Sequence, residues 1–65
     1  MKNSVRKART EKQWSQSELA LQAGVARQTI NSLENGRSVP TLELALKLSR
    51  VLGKRIEELF SLASG

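Results

Sequence analysis

The segment S-Q-S-E-L-A-L-Q-A-G-V-A-R-Q-T-I-N-S-L-E-N-G, Ser15 to Gly36, carries two short helical patterns that part at Gly24 and close at Asn35-Gly36. Its first half holds a complete helix start. Ser15 and Glu18 stand at capping-box spacing, so the Ser15 hydroxyl can accept from the Glu18 backbone N–H while the Glu18 carboxylate returns to the N–H of Ser15. Trp14 and Leu19 take the flanking positions of a hydrophobic staple. Leu19, Ala20 and Ala23 supply an apolar stripe, whose alanines admit the close approach of another helix. Gly24 ends it, because glycine tolerates left-handed φ.

Turned by about 100° per residue, the second half separates into two faces. Arg27, Gln28, Asn31, Ser32 and Asn35 share one, and Ala26, Ile30 and Leu33 form the apolar stripe expected to anchor the helix from the other side. A merely solvated face favours Lys and Glu. This one offers amides, a hydroxyl and a guanidinium, which form paired hydrogen bonds with base edges: Arg with guanine O6/N7, Gln or Asn with adenine N6/N7. A braced helix followed by one with such a face has the layout of a helix-turn-helix, in which the second helix enters the DNA major groove.

Helical patterning continues outward on both sides, without the alternation of strands or any internal repeat. A first helix is expected from about Lys2 to Lys12, turning Val5, Ala8 and Arg9 inward, with Trp14 covering its thin stripe. Arg37-Ser38-Val39-Pro40 reads as loop, since Pro40 disfavours helix in the residue before it. Thr41 caps a fourth helix in which Leu42, Ala45, Leu48 and Leu52 recur at helical spacing, Leu44 and Val51 widen the stripe, and Gly53 stops it. A fifth helix, near Ile56 to Leu62, places Ile56, Leu59 and Phe60 on one side. The expected product is one all-α domain spanning residues 1–65, with its helix-turn-helix at about 15–36. At 65 residues, 38% hydrophobic and only two aromatics, its core is small and mostly aliphatic.

Charge placement says more than the net +5. Met1 to Trp14 sets Lys2, Arg6, Lys7, Arg9 and Lys12 against Glu11, and Arg37 to Arg55 sets Arg37, Lys47, Arg50, Lys54 and Arg55 against Glu43, a balance of +4 in each. Between them, Ser15 to Gly36 carries Arg27 against Glu18 and Glu34, or −1. Basic flanks around a nearly neutral reading helix suit a division in which flanks hold phosphates and the helix reads bases. The absence of cysteine excludes disulfides and thiolate metal sites, and no apolar run reaches membrane-spanning length. A cytoplasmic protein without a cofactor is expected. With no His or Cys, and with carboxylates that serve as caps, pairs or surface charges, no nucleophile–base set assembles, and no enzyme activity is expected.

Together with V-P-T-L-E-L-A-L-K-L (Val39 to Leu48) and I-E-E-L-F (Ile56 to Phe60), these motifs resemble the Cro/C1-type (xenobiotic-response-element) helix-turn-helix family of phage and bacterial repressors, from about Val5 to Phe60. The resemblance implies a compact five-helix, lambda-repressor-like DNA-binding domain whose third helix reads an operator. Under it, Arg27 and Gln28 match base-facing positions at the start of the reading helix, and Asn31 and Ser32 match positions one turn further. Gln16 matches a phosphate-contacting position at the start of the second helix, where backbone N–H groups and the helix dipole also favour an anion. Asn35 and Arg37 match backbone contacts after the reading helix, and Thr29 serves a phosphate or packs. Arg9 and Glu34 match an ion pair tying the first helix to the end of the third.

Three departures from the family pattern matter. Ala26 replaces a Ser/Thr cap, Lys54-Arg55 replaces an apolar residue and a cap before the fifth helix, and Ala8 replaces a larger aliphatic residue. The expected function is that of a repressor binding double-stranded DNA as a homodimer on a palindromic operator, with half-sites about 34 to 36 Å apart. Phe60 and Leu62 are the candidate dimer contacts. The competing reading is a protein-interaction module, such as an antitoxin or bridging cofactor, that uses the same fold.

Overall fold

The computed structural model describes residues 3–60, and among them five helices follow in order. These are α1 (Val5–Glu11), α2 (Gln16–Ala23), α3 (Arg27–Glu34), α4 (Leu42–Leu52) and α5 (Ile56–Leu59). The architecture is all-α among the described residues, with α2 and α3 as the expected helix-turn-helix. Each helix contributes to one aliphatic cluster: Val5 from α1, Leu19 from α2, Ile30 and Leu33 from α3, Leu48 from α4 and Leu59 from α5 are all essentially inaccessible. Burying each such side chain favours folding by roughly 1.5–3 kcal/mol. Trp14, Val25, Val51 and Phe60 pack around the rim.

Local chemistry sets the helix ends. Ser15 Oγ accepts from the Glu18 N–H at 3.0 Å, Thr41 Oγ1 accepts from the Leu44 N–H at 3.1 Å, and left-handed Gly24 (φ 72°) and Gly53 (φ 68°) terminate α2 and α4. Only half of the expected capping box forms at α2. The Glu18 carboxylate instead accepts from Gln22 Nε2 at 2.9 Å, its neighbour one turn along the same face. Gln13, between α1 and α2, adopts φ 61° without the glycine that usually marks such a turn.

The first and last helices are shorter than expected, for one shared reason. Asn3 and Phe60 form an antiparallel bridge, and the Ser4 N–H donates to the Leu59 carbonyl at 2.7 Å. Asn3 and Phe60 are therefore held in the bridge and not in a helix, so α1 begins at Val5 and extended Phe60 (φ −129°, ψ 135°) lies beyond α5. Lys2 and Leu62 lie outside the described residues.

Two residues assigned to the apolar stripes face solvent. Ala26 is the non-helical N-cap of α3 and is exposed, so helical phase does not apply to it. Leu42 is 73% exposed. At about 100° per residue it stands roughly 120° around α4 from Leu48, whereas Leu44, Ala45 and Leu52 fall within about 60° of it. The start of α5 also differs from expectation. Arg55 supplies no side-chain cap, but the Glu58 carboxylate reaches back to the Arg55 N–H at 3.0 Å, and this bond holds the Glu58 carboxyl below its ordinary pKa. Lys54 and Arg55 find their partners within the chain, Glu11 on α1 at 3.4 Å and Glu58 at 3.4 Å respectively.

Candidate nucleic-acid interface

Burial of Ile30 and Leu33 fixes which way α3 faces. Arg27, Gln28 and Asn35 are left exposed, while Thr29, Asn31 and Ser32 are half-buried. Arg37 is exposed in the loop that follows Gly36. Beside this face runs a groove lined by Gln28, Thr29 and Ser32 from α3 and by Ser38, Val39 and Pro40 from the loop before α4.

Behind the face, Glu34 gathers the first three helices. Its side chain is fully enclosed. It accepts four hydrogen bonds: Arg9 Nε to Oε2 at 2.7 Å, Arg9 Nη2 to Oε1 at 3.1 Å, Gln16 Nε2 to Oε1 at 3.0 Å and Arg6 Nε to Oε1 at 3.3 Å. Arg9 is thus bidentate, the fork geometry that fixes orientation as well as charge. Its remaining terminal nitrogen, Nη1, donates to the Trp14 carbonyl at 2.8 Å, joining the α1–α2 turn to the same centre. The network then runs forward, since Asn31 Nδ2 donates to Gln16 Oε1 at 3.4 Å and Asn35 Nδ2 to the Asn31 carbonyl at 2.8 Å.

Burial by itself pushes the Glu34 carboxyl upward, but hydrogen bonds from Arg9 and Gln16, the Arg9 charge and the Arg6 hydrogen bond together hold it below its ordinary 4.5. A carboxyl whose pKa is lowered by folding stabilises the fold fully above the unfolded value and loses that contribution as pH falls through the folded one. Unfolding followed from pH 6 down to roughly pH 3 should therefore show stability falling below about 4.5. The fall should be shallower in Glu34→Gln, and equal slopes in the two proteins would remove Glu34 as its source.

The structure brings Arg9, Gln16, Asn31, Glu34 and Asn35 into one network and leaves Arg27, Gln28 and Arg37 outside it and accessible. Phe60 packs on the core rim beside Asn3 instead of standing on a free helical face. Two participants have no counterpart in the sequence reading. Along the sequence Arg6 is one charge among several in the basic N-terminal segment. Asn3 donates to the Leu33 carbonyl at 2.8 Å and accepts from the Val5 N–H at 3.1 Å, pinning the last turn of α3 to the start of α1. Among the described residues, no group of three or more acidic, His or Cys side chains is placed to hold a metal ion. No described helix is long and apolar enough to cross a membrane.

Comparison with known proteins places this geometry among relatives. A helix-turn-helix family model matches residues 5–59. An uncharacterized HTH-type transcriptional regulator of Archaeoglobus fulgidus is 45% identical over 60 residues, covering 92% of this chain and 86% of the relative. The restriction-modification controller protein C.AhdI of Aeromonas hydrophila superposes with a TM-score of 0.80 at 36% identity, over 86% of this chain and 85% of that one. The biofilm regulator SinR of Bacillus subtilis, solved in complex with DNA, superposes with a TM-score of 0.75 at 37% identity, over 82% of this chain and 86% of that one.

Proposed function

Because this chain belongs to the helix-turn-helix family of the Cro/C1 type, we propose that it is a transcription regulator that binds double-stranded DNA sequence-specifically, with α3 in the major groove. The observation that carries this reading is the arrangement of α3, where Arg27 and Gln28 are exposed on a helix whose opposite side is anchored by fully buried Ile30 and Leu33. Base edges are read by Arg27 and Gln28, followed by Asn31 and Ser32. Phosphates are held by Gln16, Thr29, Asn35 and Arg37. Gln16 and Asn35 keep part of their amides committed to the Glu34 network, so they meet a phosphate from fixed positions.

One reading helix covers few base pairs, so useful specificity requires a homodimer on a palindromic operator. Regulation follows from occupancy, with repression by exclusion of polymerase, in the cytoplasm, and without catalytic chemistry or a cofactor.

Selecting duplexes from a random pool gives the operator, and titration against operator and scrambled duplex at two salt concentrations tests the reading. Gln28→Ala and Arg27→Ala should each weaken operator binding by about 1–3 kcal/mol and relax base preference locally. Equal losses on both duplexes would reject direct readout by these residues.

A further inference from the structure

We propose that Arg6 is an additional phosphate contact, a guanidinium held against Glu34 and Asn35 with its outer fork offered to the duplex. This rests on the DNA-binding reading above and extends it to α1. Arg6 Nε donates to Glu34 Oε1 and Nη2 donates to Asn35 Oδ1, each at 3.3 Å. One edge of the guanidinium is thereby engaged. Of its five N–H groups, those on Nη1 and the second on Nη2 remain, and no described residue accepts from Nη1. That unoccupied fork is the geometry that takes a phosphate through two parallel hydrogen bonds.

Position and accessibility point the same way. Arg6 Nε shares Glu34 Oε1 with Gln16 Nε2, and Arg6 Nη2 donates to Asn35, so the same guanidinium edge links Arg6 to two residues assigned to phosphates. Those neighbours are neutral amides, and Arg6 adds a full charge beside them. Its side chain is 59% exposed, whereas that of Arg9 is 12% exposed and spends its donors on Glu34 and Trp14. With its own end of the pair open to solvent, Arg6 adds little to the two bonds by which Arg9 already holds Glu34. Glu34 stays satisfied by Arg9 and Gln16 if Arg6 swings toward DNA, so Arg6 is the member of the network that a phosphate can recruit without leaving a buried charge unpaired.

The test measures affinity of the wild type, Arg6→Gln and Arg6→Lys for operator and scrambled duplexes across roughly 50–200 mM salt, with thermal unfolding of each protein alongside. Arg6→Gln should weaken both complexes equally and flatten the dependence of log affinity on log salt by about 0.9, the signature of one lost phosphate neutralisation. Arg6→Lys should keep the wild-type slope and lose affinity for both duplexes several-fold, since the charge remains but the fork does not. A wild-type slope in folded Arg6→Gln overturns the assignment. Should Arg6→Gln not fold, wild-type affinity in Arg6→Lys overturns it equally. If the wild type itself binds neither duplex in a salt-dependent way, the DNA-binding reading falls first. If it binds and both variants match it, only the role of Arg6 falls.

Discussion

Glu34→Ala is expected to cost the fold about 3–5 kcal/mol, the range for removing one partner of a buried ion pair. The substitution deletes the acceptor of four hydrogen bonds and leaves the Arg9 guanidinium, 12% exposed, with only the Trp14 carbonyl. Small domains are stable by roughly 5–15 kcal/mol, so a loss of this size approaches the whole margin of a chain this short. Urea unfolding measures it directly, and a loss under about 1 kcal/mol would mean that the Arg9 site relaxes or hydrates without penalty. The double variant Arg9→Met/Glu34→Leu separates stability from orientation. Replacing both charges with apolar groups should restore much of the stability. Operator affinity should remain impaired, because the bonds from Arg6, Arg9 and Gln16 to the Glu34 carboxylate are gone and α3 keeps only its weaker ties to α1 and α2.

Ile30→Ala should cost about 2–5 kcal/mol, through lost transfer energy and the cavity left behind. Ile30 is fully buried and sits on the same short helix as the base-facing residues. For a domain this small each kcal/mol lowers the melting temperature by roughly 4–8 °C, so thermal unfolding should show a drop of about 10 °C or more. The control is Leu42→Ala, a larger-to-smaller change on α4 at a residue 73% exposed, which should stay within about 0.5 kcal/mol of the wild type. Comparable losses in the two would contradict the rotation of α4 about its axis. Functionally the expected contrast is with Gln28→Ala, which should leave melting unchanged and affect binding alone, whereas Ile30→Ala loosens the seat from which Arg27 and Gln28 project.

Much of this arrangement is legible along the chain because its causes are local. Ser15, Gly24, Thr41 and Gly53 mark the ends of α2 and α4 through bonds and backbone angles confined to a single turn. The two faces of α3 follow from periodicity, and buried Ile30 and Leu33 lie where that periodicity puts them. Sequence reasoning misplaced residues where a local pattern had two outcomes. Glu18 could bond back to Ser15 or forward to Gln22, and both spacings fit. Leu42 fits the repeat of α4, yet it falls outside the arc that the other helices cover.

From the sequence alone came the helical class, the helix-turn-helix and the residue types of its reading face, because capping and amphipathic spacing act over a few residues. Tertiary structure decided what joins distant segments. Asn3 pairs with Phe60 across the whole chain and trims α1 and α5, and Gln13 takes a left-handed conformation in the turn between α1 and α2. Arg6, Arg9 and Gln16 converge on one carboxylate. The Arg9–Glu34 pair is foreseen only through the family resemblance, because charges far apart in sequence carry no mark of their partners, and nothing in the sequence points to Arg6 or Gln16 joining it. Only packing of the aliphatic cluster brings Glu34 within reach of all three and excludes the water that would otherwise solvate it.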